Sequence, residues 1–216
     1  MEEHKVVILG SGIAGMTAGI YLKRGGLDVL VVEDNIPGGV LNEIPSIENY
    51  PGYEEISGPD LAMNIYNQLT KLGVKIKKKK ITSIDLNNKI INNNIKYEYL
   101  VIATGRKSRM LSLEHEKELL GKGISTCALC DGFFYKDKKV AVVGGGSSSL
   151  TEALYLSKIC KEVIIIHRRD KLTADKYLID KVNSTKNIKV LYNSNITKYN
   201  QNNNKLTSVT INNKDN

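Results

Sequence analysis

Two stretches of the sequence repeat one pattern: an apolar strand, a glycine-rich turn, a helix of small residues and a second apolar strand. The first stretch is KVVILGSGIAGMTAGIYLKRGGLDVLVVE, and the second is KKVAVVGGGSSSLTEALYLSKICKEVIIIHRRD. Short apolar strands that alternate with helices indicate parallel sheets covered on both faces. The chain is therefore predicted to be an α/β protein with two Rossmann-like βαβ units, an internal duplication of architecture.

The first glycine turn has the spacing of a dinucleotide site. Gly10, Gly12 and Gly15 stand between strand and helix, and Glu33 ends the second strand about 20 residues later. The first glycine permits a tight turn, the second lets the backbone approach a pyrophosphate, and the third lets helix and strand pack closely. The helix N-terminus stabilises the anion, and the carboxylate accepts hydrogen bonds from ribose hydroxyls. The alternative is a turn that serves packing alone.

The second glycine turn differs at the end of its second strand. Gly144, Gly146 and Ser149 occupy the three small positions, but the strand ends in His-Arg-Arg instead of an acid. Guanidinium groups there would pair with a ribose 2′-phosphate, which favours NADP(H) over NAD(H). The alternative is a solvated basic strand end. Two nucleotide sites with different sugar preferences indicate a flavin and a pyridine nucleotide, between which hydride can pass.

The segment CALCDGFFY carries two cysteines, Cys127 and Cys130, just before the second unit. A zinc site needs four ligands, and Cys160 and the three histidines provide no second pair at a matching spacing, so no metal is expected. A purely structural disulfide would close a very small loop. We favour a redox dithiol, beside which Asp131 could move protons. Cys160 is predicted to be a small buried helix residue.

Composition excludes several classes of protein. Hydrophobic residues make up 41% and charged residues 25% of the 216 residues, which is typical of globular chains. No apolar run approaches the roughly 20 residues that span a bilayer, and the start MEEHKVVILGSG lacks a signal sequence, so we expect a cytoplasmic protein without membrane partners. The net charge is +8, but the run Lys75–Lys80 has little aromatic interleaving. We interpret it as a solvated strand end and expect no nucleic-acid partner.

The chain resembles the low-molecular-weight thioredoxin reductases in six segments that follow the family's order: GSGIAGMTAGIY, IENYPG, VIATG, CALCDGFFY, VAVVGGGSSSLTEALYLS and HRRDKLTADK. The resemblance implies a homodimer in which NADPH reduces FAD, FAD reduces the cysteine pair, and the pair reduces thioredoxin. It also implies two three-layer Rossmann-like domains, the second inserted in the first. The FAD-binding domain would be residues 1–110. The NADPH-binding domain with the cysteine pair would be residues 111–216, incomplete at its C-terminal end.

The resemblance also implies roles for individual residues. Cys130 would be the flavin-proximal thiol, Cys127 the thiol that attacks thioredoxin, and Asp131 the acid-base group. The residues that line FAD would be Gly10, Ser11, Gly12, Gly15, Glu33, Gly38, Gly39, Asn49, Ala103, Thr104 and Gly105. The residues that line NADPH would be Gly144, Gly146, Ser147, His167, Arg168 and Arg169.

The sequence departs from the family's pattern at three places. Val40 stands where a glutamine that hydrogen-bonds the flavin is common, so that hydrogen bond is not expected. Thr173 stands where a third phosphate-binding arginine is common, so the preference for NADP(H) is expected to be weaker. The family's C-terminal flavin-contacting Gly-Asp segment has no match, which leaves a fragment, a natural truncation or completion by another chain as explanations. Three alternative functions stay open: a nucleotide-binding fragment without turnover, a reductase of another small redox protein, and a reductase that takes electrons from ferredoxin.

Overall fold

Both predicted βαβ units form in the computed structural model, which describes residues 1–106 and 108–213. The chain divides into two units, each of which contains one of the glycine turns. The first unit comprises Met1–Glu43 and Ile47–Lys107, and the second comprises Ile44–Ser46 and Ser108–Asn216. The predicted α/β class with Rossmann-like parallel sheets is confirmed.

The first unit is built on one mixed sheet. Its strands are β1 (Glu2–Leu9), β2 (Val29–Glu33), β3 (Lys75–Lys78), β4 (Ile84–Asp85), β5 (Ile90–Ile91) and β6 (Ile95–Ile102). The spatial order is β3-β2-β1-β6-β5-β4, with β1, β2, β3 and β6 parallel. Strand β5 pairs antiparallel with both β4 and β6. The helices are α1 (Ile13–Arg24) and α2 (Gly58–Lys71), and a 3₁₀ turn spans Gly39–Glu43.

The central strands of this sheet are buried on both faces, as their continuous apolar runs predict. Residues 6–9 of β1 and 29–32 of β2 are all buried. Helix α1 packs closely against α2, since a Cβ on Gly19 would lie only 2.8 Å from Cδ1 of Leu69, and it packs against the sheet, since the same Cβ would lie 3.6 Å from Cδ1 of Ile8. The lysine run forms the outer strand β3, as the interpretation of a solvated strand predicts. Charged side chains on an outer strand discourage pairing with another sheet.

The second unit contains two separate sheets. Strands β7 (Lys139–Val143), β8 (Glu162–Ile166) and β9 (Ile188–Leu191) form a parallel sheet in that order. Strands β10 (Ser194–Asn202) and β11 (Lys205–Asn213) form an antiparallel hairpin. The helices are α3 (Ala128–Asp131), α4 (Ser147–Ser157) and α5 (Lys176–Ser184), and a 3₁₀ turn spans Gly132–Tyr135. Among residues 1–106 and 108–213, no helix has the length and apolarity that crossing a bilayer requires.

Strand β10 was not predicted from the sequence. It is mostly polar, and only Ser194, Ile196 and Tyr199 along it are buried. The turn between β10 and β11 is formed by Asn203 and Asn204, both with positive φ. The strand itself extends to Asn202. A hairpin with so few buried side chains lacks the apolar alternation that marks a strand.

Candidate functional site

The first glycine turn follows β1, and two of its glycines lie too close to neighbouring backbone atoms to carry a side chain. Gly10 has φ +97°, and a Cβ there would lie 2.4 Å from the carbonyl oxygen of Ala103 and 3.2 Å from Cα of Thr104. A Cβ on Gly15 would lie 2.0 Å from the carbonyl oxygen of Gly10. A Cβ on Gly12, in contrast, would meet no atom of the described residues within 4 Å. The turn is therefore packed at its first and third glycines and open at its second, as approach of a pyrophosphate requires.

A second glycine pair closes over this turn. The N–H of Gly38 donates to the carbonyl oxygen of Ser11 (2.9 Å), and Gly38 forms an isolated parallel bridge with Gly12. Gly39 lies against the same residue, since a Cβ on it would be 3.3 Å from Cα of Gly12. Gly105 follows the segment after β6 that contacts Gly10. These residues meet at the carboxyl ends of β1, β2 and β6, the edge where open α/β sheets bind ligands.

Glu33 at the end of β2 is fixed by hydrogen bonds from the turn. Its Oε2 accepts the N–H and the hydroxyl of Ser11, both at 2.7 Å, and its Oε1 accepts the N–H of Asn35 at 2.9 Å. Burial alone would raise the pKa of Glu33, but these hydrogen bonds outweigh burial and hold the pKa below its usual value. The ionised carboxylate keeps further lone pairs, with which it can accept hydrogen bonds from ribose hydroxyls.

The helices that follow the two glycine turns begin differently from the other long helices. Helices α2 and α5 are capped by Ser57 and Asp175, whose side chains accept a backbone N–H. Helices α1 and α4 have Gly12 and Gly146 as their N-cap residues, and in the part of the chain that the structure describes no side chain caps either of them. Their first N–H groups are left for another acceptor. The two turns therefore fit the phosphate groups of two nucleotides.

The second glycine turn follows β7 and rests on a histidine. Gly144 has φ +131°, and a Cβ there would lie 2.2 Å from Oγ of Ser149. A Cβ on Gly145 would lie 2.6 Å from the ring of His167. His167 is only 6% exposed, and its Nε2 donates to the carbonyl oxygen of Lys171 (3.0 Å). The structure therefore brings His167 to the turn as a buried support under Gly145.

The segment before α5 crosses the second turn. The N–H of Thr173 donates to the carbonyl oxygen of Gly145 (2.7 Å), and its hydroxyl lies 3.2 Å from the same oxygen. The hydroxyl of Ser147 donates to Oδ2 of Asp175 (3.1 Å). Thr173, at the position of the family's third arginine, thus links the segment before α5 to the glycine turn by a backbone hydrogen bond. The side chain of Ser147 is held by the carboxylate of Asp175. Sequence reasoning did not single out Asp175, although an aspartate just before a helix is a cap signal.

Seven of the predicted cofactor residues are exposed: Gly39, Asn49, Thr104, Gly105, Ser147, Arg168 and Arg169. Arg168 and Arg169 follow β8, where extended guanidinium groups can pair with a phosphate. Asn49 is exposed in the loop that precedes α2. Val40, which departs from the family's glutamine, is 42% exposed.

Cys127 and Cys130 form a disulfide, with their Cα atoms 5.4 Å apart. Cys127 is 9% exposed, whereas Cys130 is exposed. Helix α3 starts directly after Cys127, and the N–H of Cys130 lies 3.1 Å from Sγ of Cys127. A hydrogen-bond donor at this sulfur stabilises negative charge on it once the disulfide is opened.

Ser125 and Asp131 stand on either side of the disulfide in the sequence. The hydroxyl of Ser125 donates to Oδ2 of Asp131 (2.6 Å), and its oxygen accepts the N–H of Cys127 (3.0 Å). Sequence reasoning predicted Asp131 at this place but did not single out Ser125. A serine two residues before a helix cap is a known hydrogen-bonding turn, which was the available signal.

The third cysteine lies apart from this chemistry. Cys160 is a free thiol that is 5% exposed, which confirms the prediction that it is buried. The prediction that it lies on a helix was wrong, because α4 ends at Ser157 and Cys160 lies in the bend before β8. Burial raises the pKa of its thiol, so it is a weak nucleophile. Among residues 1–106 and 108–213, no group of three or more His, Cys, Asp or Glu side chains is arranged to hold a metal ion.

Known proteins resemble this chain over nearly all of its length. The family model described as pyridine nucleotide-disulphide oxidoreductase matches residues 4–216. A thioredoxin reductase from Buchnera aphidicola (subsp. Schizaphis graminum) is 41% identical over 224 residues, which cover 99% of this chain and 70% of that protein. A thioredoxin reductase from Ureaplasma parvum is 40% identical over 197 residues, which cover 89% of this chain and 64% of that protein.

Solved structures extend the likeness to the fold. The crystal structure of Lactococcus lactis thioredoxin reductase superposes with a TM-score of 0.93 at 37% identity, covering 97% of this chain and 71% of that one. The chain thus spans between 64% and 71% of the length of these three relatives.

Proposed function

Because the chain belongs to the thioredoxin reductases, within the pyridine nucleotide-disulphide oxidoreductase family, we propose that it is an NADPH-dependent flavoprotein disulfide reductase. FAD and NADPH are the cofactors of this family. The cysteine pair Cys127–Cys130 would receive electrons from NADPH by way of FAD and pass them to thioredoxin. The observation that carries the proposal is the disulfide itself, in a chain with two open glycine turns.

We assign FAD to residues 1–110. When bound, FAD and NADPH together supply hydride and electron transfer. Gly12 and the uncapped start of α1 would bind the FAD pyrophosphate, with Gly38 and Gly39 closing the turn. Glu33, held ionised by Ser11, would accept the ribose hydroxyls. The tight contacts of Gly10 and Gly15 support this assignment because they shape the turn without blocking its open side.

We assign NADPH to residues 111–216. The uncapped start of α4 would bind the pyrophosphate, and Arg168 and Arg169 would pair with the 2′-phosphate. Thr173 is engaged with Gly145 and brings no positive charge, so the preference for NADPH over NADH would rest on two arginines. His167 would act by supporting Gly145.

Cys127 is the thiol that we propose to attack thioredoxin, and Cys130 is the flavin-proximal thiol. The N–H of Cys130 would stabilise the Cys127 thiolate, which is the nucleophilic form. Since Cys127 is only 9% exposed, this role requires a change that uncovers it for the partner. Asp131 would accept the thiol proton as the thiolate forms.

The test compares two cysteine variants. The chain is loaded with FAD, titrated with NADPH without oxygen while its visible spectrum is recorded, and then assayed with thioredoxin. Cys130→Ser should abolish disulfide reduction and retain bound flavin, while the control Cys160→Ser, at a buried free thiol, should keep both. Disulfide reduction by Cys130→Ser, or a chain that binds no FAD, would contradict the proposal.

The same experiment separates the remaining alternatives. Flavin that NADPH does not bleach, but reduced ferredoxin does, would indicate ferredoxin as the electron source. Bleaching without reduction of thioredoxin would indicate another small redox partner. The homodimer and the cytoplasmic location stay predictions from the resemblance, and sedimentation of the loaded chain tests the former.

A further inference from the structure

One serine connects the two ends of the dithiol turn. The Oγ of Ser125 lies 2.6 Å from Oδ2 of Asp131, 3.0 Å from the backbone N of Cys127 and 3.1 Å from the carbonyl oxygen of Cys127. The hydroxyl has one hydrogen, and the carboxylate is both the nearer and the stronger acceptor. The hydroxyl therefore donates to Asp131 while its oxygen accepts the N–H of Cys127.

This connection does not depend on the disulfide. Opening the S–S bond removes the covalent link between Cys127 and Cys130. The N–H of Asp131 still donates to the carbonyl oxygen of Cys127 (3.1 Å), which holds the backbone of the turn but leaves the carboxylate free to rotate. Ser125 is the side chain that fixes this carboxylate to the start of the turn.

We propose that Ser125 is a positioning residue, which holds the Asp131 carboxylate where it accepts a thiol proton when the reduced pair attacks a disulfide. This inference rests on the proposed function in assigning Asp131 that role. A thiol of the pair gives its proton to the carboxylate, and the thiolate attacks one sulfur of the substrate disulfide, which releases the other sulfur as a thiolate. The second thiol of the pair then loses its proton and attacks the protein sulfur of the mixed disulfide, which restores the Cys127–Cys130 bond and releases the remaining substrate sulfur as a thiolate.

The surroundings of Asp131 add one further titratable group. Burial raises the pKa of Tyr135, and the charge of Asp131 raises it further, so the phenol stays protonated at neutral pH. Tyr135 therefore does not compete with Asp131 as a proton acceptor.

The test measures oxidation of the reduced pair without FAD, NADPH or thioredoxin. All variants carry Cys160→Ser, so only the pair reacts, and dithionitrobenzoate is the disulfide. Each pair loses two electrons and two protons and releases two coloured thionitrobenzoate ions. Ser125→Ala should slow this oxidation about tenfold at about pH 6, and Ser125→Thr, which keeps a hydroxyl, should recover most of the rate.

The pH dependence separates positioning from a structural effect. Above the ordinary thiol pKa of about 8.5 the thiolate forms without a base, so Ser125→Ala should approach the parent rate at about pH 9. Asp131→Asn and the double variant Ser125→Ala/Asp131→Asn should react equally fast, because the serine acts through the carboxylate. Ser184→Ala removes an exposed hydroxyl that also bonds to a carbonyl oxygen and should match the parent.

Three results would each overturn the inference. The first is an oxidation rate of Ser125→Ala equal to that of Ser184→Ala. The second is a loss of rate in Ser125→Ala that is the same at both pH values, and the third is a loss of rate in the double variant equal to the sum of the two single losses. Because no cofactor is present, these outcomes are independent of flavin binding and turnover. If the proposed function fails, the effect of Ser125 on oxidation of the cysteine pair can therefore still be interpreted.

Discussion

At the scale of single residues, the glycines of the first turn divide into those that shape the fold and those that face a ligand. Gly15 allows its helix to sit on the carbonyl oxygen of Gly10, whereas Gly12 has open space and an ordinary φ of −69°. Gly15→Ala should lower the free energy of unfolding by about 1–3 kcal/mol through overpacking. Gly12→Ala should leave stability nearly unchanged and weaken FAD binding. Urea unfolding and flavin titration of both variants measure this, and equal stability of the two would contradict it.

The functional residues also show what sequence can predict. Glycine turns, Glu33 and the cysteine pair stand out because their chemistry depends on spacing along the chain. Ser125 was missed because its role depends on a hydrogen bond across six residues, between a loop and a helix end. The burial of His167 was missed because the neighbouring arginines made the whole segment look like an exposed basic end.

At the scale of elements, a buried hydrogen-bond cluster around Glu116 helps to anchor the hairpin of β10 and β11. Glu116 is 5% exposed and accepts the hydroxyl of Tyr199 (2.7 Å) and the N–H groups of Leu111 (2.9 Å) and Ser112 (2.6 Å). Burial and the carboxylate both raise the pKa of Tyr199, so the phenol keeps its proton and donates. Tyr199→Phe should lower the free energy of unfolding by about 1–3 kcal/mol. Chemical unfolding at neutral pH measures the loss, with Tyr21→Phe at an exposed tyrosine as the control.

The same cluster should make stability depend on pH. Burial alone would raise the pKa of Glu116, but the hydrogen bonds from Tyr199 and the backbone outweigh it and hold the pKa below its ordinary value of 4.5. The contribution of Glu116 is therefore complete above about pH 4.5 and is lost as pH falls through the folded-state pKa. Glu116→Gln should unfold with a weaker dependence on pH in the acidic range. An unchanged acid profile would contradict this.

Elements were predictable where their apolar pattern is strong. The buried strands of the two βαβ units were predicted because their continuous apolar runs agree with tertiary burial. Strand β10 was not, because Ile196 and Tyr199 alone tie it to the core cluster with Leu119 and Ile166. Its strand conformation is set by pairing with β11, which sequence pattern does not reveal.

At the scale of the whole molecule, each unit has its own buried core around its own sheet. Heat unfolding should therefore depart from a single two-state transition. NADPH at about 100 times its dissociation constant should stabilise the second unit by about 2.7 kcal/mol, whereas FAD should stabilise the first. Differential scanning calorimetry with each cofactor measures this. One transition that both cofactors shift equally would contradict separate assignment of the two sites.

The lysines of the edge strand β3 give part of the molecule's positive charge a role that is independent of ligand binding. β3 borders the six-stranded sheet, and an uncovered border is the place where a second molecule could extend the sheet. Lys75 and Lys78 are exposed there, and the chain carries a net charge of +8. In a crowded solution, mutual repulsion of these borders opposes growth of intermolecular sheets into aggregates. Binding of polyanions or acylation of the lysines would remove this repulsion and favour aggregation, although neither glycine turn would be changed.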